Sequence, residues 1–413
     1  PITSDLNLDG TYEIIFGDHF GNIHVIDSQG QPVFENNFPF DTGGQIWGSP
    51  AIADIDNDGF DDIIVTSKSK HLYIFDKNGL KLDYDSGTQL IATPSIGNFD
   101  LDSDLEIAVA GYSSNQTNLL VINNDGSDVF STDINITEKN KSGFAVADFN
   151  NNNIDDIVFG TDSNNLYLVY DNGTVADGFP FEAEDKFRLS PLIINYLDEM
   201  MIIASSKDQH LYAIDGMGSI IFDITFDNQI TTSPSISSLE NNDYIFVGFD
   251  NGDIKCIDFD GNIINEYSFN ISSSVVGSVT FADLDADSLV EMIASNELGG
   301  LYVFKMNGEI FQNFPIIYEF PISSALTIFD VDNDADLEIF HDGSDSHIKD
   351  TGAGDLYISA SDDLVFRTKA GAETAMIIND DGAVEIYYDN AKKLETSATG
   401  VTVIGGTTSV GTG

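Results

Sequence analysis

The sequence predicts an all-β protein: a β-propeller of seven or eight four-stranded blades, eight slightly favoured, followed by a small β-rich module. Three observations lead there. Similar segments recur along the chain, an acidic loop stands at the same place in each, and the runs beside the loops are apolar and β-branched without a sustained 3.6-residue period. The segments "SPAIADIDNDGFDDIIVTSKSKHLYIFDKNG", "TPSIGNFDLDSDLEIAVAGYSSNQTNLLVINNDG" and "SGFAVADFNNNNIDDIVFGTDSNNLYLVYDNG" align from end to end. Their first loop position recurs at Asp5, Asp54, Asn98, Asp148, Asn195, Ser238, Asp283 and Asp330, at spacings of 43 to 50 residues. A period of that length holding four short strands is the size of one blade, so helix should be nearly absent.

Within the second repeat the expected elements are a strand at Ser49 to Ala53, the acidic loop, strands at Asp62 to Ser67 and His71 to Asp76, and an outer strand after Gly79. The tetrads "DKNG", "NNDG", "YDNG" and "DFDG" carry the Asn-Gly and Asp-Gly pairs that supply positive φ in tight hairpins. Runs such as "HLYIFD", "NLYLVY" and "GLYVFK" are apolar on both faces, as befits strands with a neighbouring blade on each side. Eight blades fit if residues beyond Phe340 complete the last one; seven fit if the eighth start replaces the first. The propeller is expected over 1–340. From 341 to 413 Gly, Thr, Ser and Ala take over, which marks a different module.

The chain of 413 residues carries 16 Lys+Arg against 69 Asp+Glu, a formal charge of −53. Such a charge repels nucleic acid and anionic lipid surfaces, which excludes both as expected partners. Aromatic residues make up 11% of the chain, which argues for a packed core over acidic disorder and leaves the carboxylates to bind cations. No apolar run approaches the roughly 18 residues of a membrane-spanning helix, so no membrane insertion is expected. The opening at Pro1, without an initiator Met, reads as an excised piece. Cys256, the one cysteine, sits in the apolar run "DIKCIDFDG" and is expected to fill core.

The loops follow D-x-[DN]-x-D-G-x-x-[DE], with side-chain oxygens at positions one, three, five and nine. Alternate residues of a tight loop point inward, and Ca²⁺ takes six to eight oxygen ligands, so one loop wraps one ion. The candidate ligands are Asp5, Asn7, Asp9 and Glu13; Asp54, Asp56, Asp58 and Asp62; Asn98, Asp100, Asp102 and Glu106; Asp148, Asn150, Asn152 and Asp156; Asp283, Asp285, Asp287 and Glu291; and Asp330, Asp332, Asp334 and Glu338. Five to six calcium ions are expected. The fourth loop, with two charges, should bind more weakly. Ser103, Ser288 and Ala335 replace the position-six glycine and should strain their loops slightly. The fifth and sixth repeats have too few acidic groups at this spacing and should be metal-free. An EF-hand would need Glu at position twelve, where this chain has Phe16, Val65, Val109, Phe159, Ala294 or His341, and it would need flanking helices. A lone loop of this kind could be a solvated turn, but six in register crowd carboxylates whose repulsion a cation would offset.

On these acidic loops, with the "SPAIADID", "IIVTSKSKHLYIFD" and "GFPF"-like elements such as Gly178 to Phe181, residues 1 to about 340 resemble FG-GAP or VCBS-type repeats. These are the blades of the integrin α-subunit head and of many secreted bacterial proteins. The resemblance implies calcium loops bracing the hairpins at one face, ligands bound by loops at the other, and an extracellular or cell-surface setting. "HDGSDSHIKDTGAGDLYI" and "DGAVEIYYDNAKKLETSATGVTV" resemble segments of marine bacteriophage tail-fibre proteins, which implies a trimeric β-structured shaft or connector and a virion setting. Blade completion is the simpler alternative for this segment.

The chemistry of an enzyme is not evident. His71 and His210 share a hairpin position before "LY"; His19, His24, His341 and His347 share no spacing, and no G-x-S-x-G, H-E-x-x-H or phosphate-loop motif occurs. The expected function is a calcium-binding scaffold for adhesion or for a protein or glycan ligand. A phage fibre component and a polysaccharide-active propeller enzyme are the alternatives.

Overall fold

The computed structural model describes residues 1–76, 78–113, 118–129, 136–197, 199–239, 242–285, 287–322 and 326–328, then 337–341, 346–350, 364–368, 373–379, 383–388, 391–397 and 400–404. The chain divides into two compact units, Pro1–Asp334 and Ala335–Gly413. Among the described residues neither contains a helix.

Among the described residues of the first unit seven antiparallel sheets follow one another, each paired in chain order. Sheet one comprises Ile2–Ser4, Glu13–Gly17, Asn22–Ile26 and Phe40–Asp41. Sheet two comprises Ala51–Ala53, Asp62–Thr66, His71–Asp76 and Gly79–Asp85, within a residue or two of the strands read from the repeat. Sheet three pairs Ser95–Gly97, Glu106–Ala110 and Leu119–Ile122. Sheets four to seven have four strands each and begin at Ala145–Ala147, Leu192–Tyr196, Ser235–Leu239 and Val275–Ala282. After sheet seven, which ends at Ile316–Ile317, the Thr327 hydroxyl donates to the Pro1 carbonyl at 2.8 Å, so the chain at Thr327 lies against its first residue.

The continuous apolar runs have a direct packing cause. All five residues of Asp62–Thr66 are buried, and successive side chains point to opposite faces of the sheet. Ile63 and Val65 pack with Ile15, Ile23 and Val25 of sheet one, whereas Ile64 packs with Ile107, Val109 and Ile122 of sheet three. The same alternation recurs between every later pair of successive sheets. Each such side chain stabilises the fold by about 1.5–3 kcal/mol. Cys256 fills the core between sheets six and seven beside Phe246 and Phe304, where burial pushes its thiol up to about 12. His71 and His210 play matched parts at strand starts: each bonds an aspartate of the outer strand, Asp83 or Asp223, and stacks on Tyr73 or Tyr212.

The second unit contains the hairpin Leu337–His341 with Ser346–Asp350 and a five-stranded meander from Leu364–Thr368 to Gly400–Val403. Met376, Ile386, Leu394 and Val403 are register partners in one row, and Ile377, Glu385, Glu395 and Thr402 in the next. One face is therefore apolar. Ile386 and Val403 are 42% and 44% exposed on it, more than a core residue would be.

Candidate metal centres in the strand-connecting loops

Loops one to four and seven join the first and second strands of their sheets, and each ends with its position-nine carboxylate on the first residue of the second strand. Glu13, Asp62, Glu106, Asp156 and Glu291 are all buried there, at most 2% exposed. In each case the backbone N–H of position two donates to that carboxylate: Leu6 at 2.9 Å, Ile55 at 3.3 Å, Phe99 at 2.6 Å, Phe149 at 2.9 Å and Leu284 at 2.9 Å. Leu6, Ile55 and Phe99 at position two are buried and anchor their loops in the core while their amides serve the site; Phe149 packs on the core partly buried, and Leu284 is 40% exposed. Desolvation, with repulsion from neighbouring carboxylates, pushes Glu13, Asp62 and Asp156 up to about 6 and Glu106 up to about 7, and raises Glu291 as well.

Position one is cradled by backbone donors. The amides of positions five and six reach Asp5 at 3.0 and 3.0 Å, Asp54 at 3.0 and 2.9 Å, Asp148 at 3.0 and 2.7 Å, and Asp283 at 3.2 and 2.9 Å. That turn requires left-handed backbone at position six, where Gly10, Gly59, Asn153 and Ser288 have φ of 91°, 87°, 67° and 69°. Ser288 thus bears the strain expected of it. Ser103 does not, because loop three takes another path and its Asn98 receives no such pair of amides. Ala335 lies outside the described residues.

The buried carboxylate site is offset in two different ways. In loops one and four the position-three amide does it, with Asn7 Nδ2 at 3.3 Å from Glu13 and Asn150 Nδ2 at 3.3 Å from Asp156. In loop two Lys81 Nζ lies 2.6 Å from Asp56 and 3.7 Å from Asp62; in loop seven Lys305 Nζ lies 2.7 Å from Asp285 and 3.7 Å from Asp287. Loop three has neither device. Its Asp100, Asp102 and Glu106 offer oxygens within 4.8 Å of one another, as do Asp54, Asp56 and Asp58, and Asp283, Asp285 and Glu291. Glu106 Oε1 and Asn98 Oδ1 are buried without a hydrogen-bond partner. Two orphaned oxygens beside two further carboxylates suit a hard cation, and a buried acceptor left unmatched costs about 1–3 kcal/mol.

The remaining loops differ. In sheet five Asn195 pairs with Met200 inside the hairpin, and in sheet six Ser238 pairs with Asp243, so strand register continues where the other sheets have a nine-residue loop. Asp330, Asp332 and Asp334 lie outside the described residues; Glu338 falls in the strand Leu337–His341. Sequence reasoning missed Lys81 and Lys305, which no spacing rule connects to the loops. It also missed the carboxylates that join neighbouring loops. Asp61 accepts from Ser4 at 2.5 Å, and Asp155 accepts from the Asn98 amide at 2.9 Å while its own amide donates to the Asn98 carbonyl at 2.7 Å. The doubled acids in "FDDII" and "IDDIV" are the signal: one carboxylate faces the loop interior and its neighbour faces the preceding blade.

Residues 5–65 match the family model of the FG-GAP-like repeat. No curated protein matches the chain. Among solved structures, the V. cholerae biofilm matrix protein Bap1 is similar with a TM-score of 0.57 at 10% identity, over 84% of this chain and 85% of that one. BamB from Moraxella catarrhalis gives 0.53 at 11% identity, over 80% and 91%. The computationally designed Ika8 protein gives 0.54 at 11% identity, over 82% and 91%. At such identities the likeness is one of fold. Together with the run of four-stranded antiparallel sheets it establishes a repeat β-propeller.

Proposed function

We propose that this chain is an extracellular calcium-binding β-propeller that acts as an adhesion or ligand-binding scaffold, its calcium loops bracing the blades. The observation that carries the reading is loop three, where Glu106 Oε1 and Asn98 Oδ1 are buried without partners among crowded carboxylates. Asn98, Asp100, Asp102 and Glu106 would hold the ion there, and the ion would match the carboxylates that a lysine ammonium or an asparagine N–H donor matches in the other loops. The loop donates and accepts bonds across to sheet four, so ion binding braces two blades at once. Loops that bind calcium weakly fill only where the ion is abundant, which favours an extracellular setting. The role is binding rather than catalysis: the buried carboxylates are each held by a backbone amide at a blade junction. The apolar face of the second unit supports self-association of that unit into a trimer, with a fibre-like connector as the accompanying reading.

The test is a calorimetric calcium titration of the native chain and of Glu106→Gln, with melting curves in excess Ca²⁺ and in EGTA. One fewer ion bound by the variant, and a lower melting temperature of the native chain in EGTA, are expected. Identical melting in the two buffers would defeat the calcium reading.

A further inference from the structure

In the five sheets that carry an acidic loop the second strand begins at that loop and ends at a turn, so these turns and the connections between sheets lie at the end opposite the loops. Backbone bonds tie the two together there, from Lys68 to Gln45, Asp162 to Lys139 and Lys207 to Lys186. The chain's single tryptophan, Trp47, stands at this end, 47% exposed. Lys68 Nζ lies 4.1 Å and Lys141 Nζ 5.8 Å from its ring centroid, and the His19 imidazole stacks nearby with its plane tilted 10°. Lys139 Nζ lies 4.9 Å from the Tyr112 ring, whose hydroxyl reaches Asp162 at 3.4 Å. Arg188 clamps that same carboxylate through Nε at 2.5 Å and Nη2 at 2.8 Å.

Charge makes this patch anomalous. Lys68, Lys139, Lys141, Lys186 and Arg188 are five of the 16 basic residues in a chain with 69 carboxylates. Among the described residues only Arg188 of the five is in an ion pair. Two of the acids at this end are already engaged: Glu138 accepts from Thr161, Asn165 and Tyr167 at 2.5, 2.8 and 2.9 Å, and Asp162 is clamped by Arg188. Lys68, Lys139 and Lys141 each face an aromatic ring with no carboxylate at ion-pair distance among the described residues. Although Lys68 Nζ also donates to Gln45 Oε1 at 2.9 Å and Lys141 feels the charge of Asp162, an anion joining them would be favoured. These residues come from three connections and from the turns of sheets one to four, and the stacking of successive sheets is what collects them.

We propose that this end of the propeller is a binding site for a short anionic saccharide, with a sugar carboxylate against Lys68 and Lys141 and the pyranose ring against Trp47. The proposal rests on the ligand-binding reading above and names the ligand class and the residues; it does not depend on calcium occupancy. A long polyanion is disfavoured, because it would run onto the rest of a chain whose formal charge is −53. A neutral sugar would leave the ammonium groups unmatched. A carboxylated ring of one to three units meets both the rings and the charges.

Trp47 is its own reporter. Titration of the full chain with trigalacturonic acid, followed by tryptophan fluorescence, should give a saturable change that weakens with added salt, and maltotriose should give none. Lys141→Glu should weaken binding at least about tenfold, the scale of one lost charge-assisted contact, and Lys141→Arg should restore it. Calcium and EGTA melting of each variant, run in parallel, guards against misfolding. No saturable change with trigalacturonic acid, an equal response to maltotriose, or undiminished binding by Lys141→Glu would overturn the site. Tighter binding of hexa-aspartate would overturn the saccharide assignment in favour of an acidic peptide. Uronide binding with identical melting in Ca²⁺ and EGTA would defeat the calcium reading alone.

Discussion

At the scale of single residues, the position-nine carboxylates show one problem met in two ways and left unmet in a third loop. Asp62 is buried and has Lys81 Nζ at 3.7 Å; Glu13 has the Asn7 amide; Glu106 has only backbone donors and an unmatched oxygen. Lys81 is therefore a resident cation that competes with a bound ion. Lys81→Met should lower stability in EGTA by about 1–3 kcal/mol, because Asp56 and Asp62 lose their charged partner. It should also tighten calcium binding at loop two, so that the difference from the native chain shrinks at saturating Ca²⁺. Denaturant melts in both buffers with a calcium titration measure this, and an equal loss in both would show that the lysine does not share the ion's place.

At the scale of the loop as an element, backbone conformation rather than charge decides what position six tolerates. Gly59 at φ 87° has nothing within 4 Å of where a Cβ would stand, so the only cost of a side chain there is the left-handed conformation itself. Ser288 bears that cost at φ 69°. Ser288→Gly should stabilise the chain by up to about 1 kcal/mol, and Gly59→Ala should destabilise it by about 1–2 kcal/mol. Ser103→Gly, in a loop without left-handed backbone at this position, should gain nothing and lose a little through freedom of the unfolded chain. Thermal melts of the three variants separate these outcomes, and a gain from Ser103→Gly equal to that from Ser288→Gly would contradict the account.

At the scale of the molecule, the buried carboxyls act together on the pH dependence of stability. Below about pH 4 they are protonated in folded and unfolded chains alike. As pH rises the unfolded chain ionises first, whereas Glu13, Asp62 and Asp156 hold their protons to about 6 and Glu106 to about 7. The folded state then binds more protons than the unfolded one, so stability in EGTA should fall between about pH 4 and 7. Calcium takes the ionised form, so its affinity should rise across the same window and oppose the loss. Melting temperatures at several pH values in EGTA and in Ca²⁺ measure it; a rise with pH in EGTA would contradict the burial argument. The second unit supplies a separate test. A five-stranded sheet with Ile386, Tyr388 and Val403 exposed at 42%, 76% and 44% should self-associate, so light scattering should find the whole chain trimeric and residues 1–334 monomeric. A monomeric whole chain would refute the trimer.

Much of this was legible in the sequence, because blade period, hairpin turns and loop spacing are local. A tight turn needs Gly or Asn where φ is positive, as Gly59 and Asn153 provide, and a strand packed on both faces needs an unbroken apolar run such as "DIIVT". The ligand positions of loops two, three and seven come together in space for the same reason: nine consecutive residues suffice to close them. What lies between blades was not legible. Lys81 reaches Asp56 from a different strand, and Asp155 bonds Asn98 of the preceding loop. Trp47 and Lys141 meet although 94 positions separate them in the sequence. Such contacts depend on how successive sheets stack, which is set by the summed packing of many side chains such as Ile63 and Ile64 and leaves no local pattern. The repeat determined the blades and their loops by itself; only the stacked structure decided which described loop is left electrostatically unmatched and which lysines gather around Trp47.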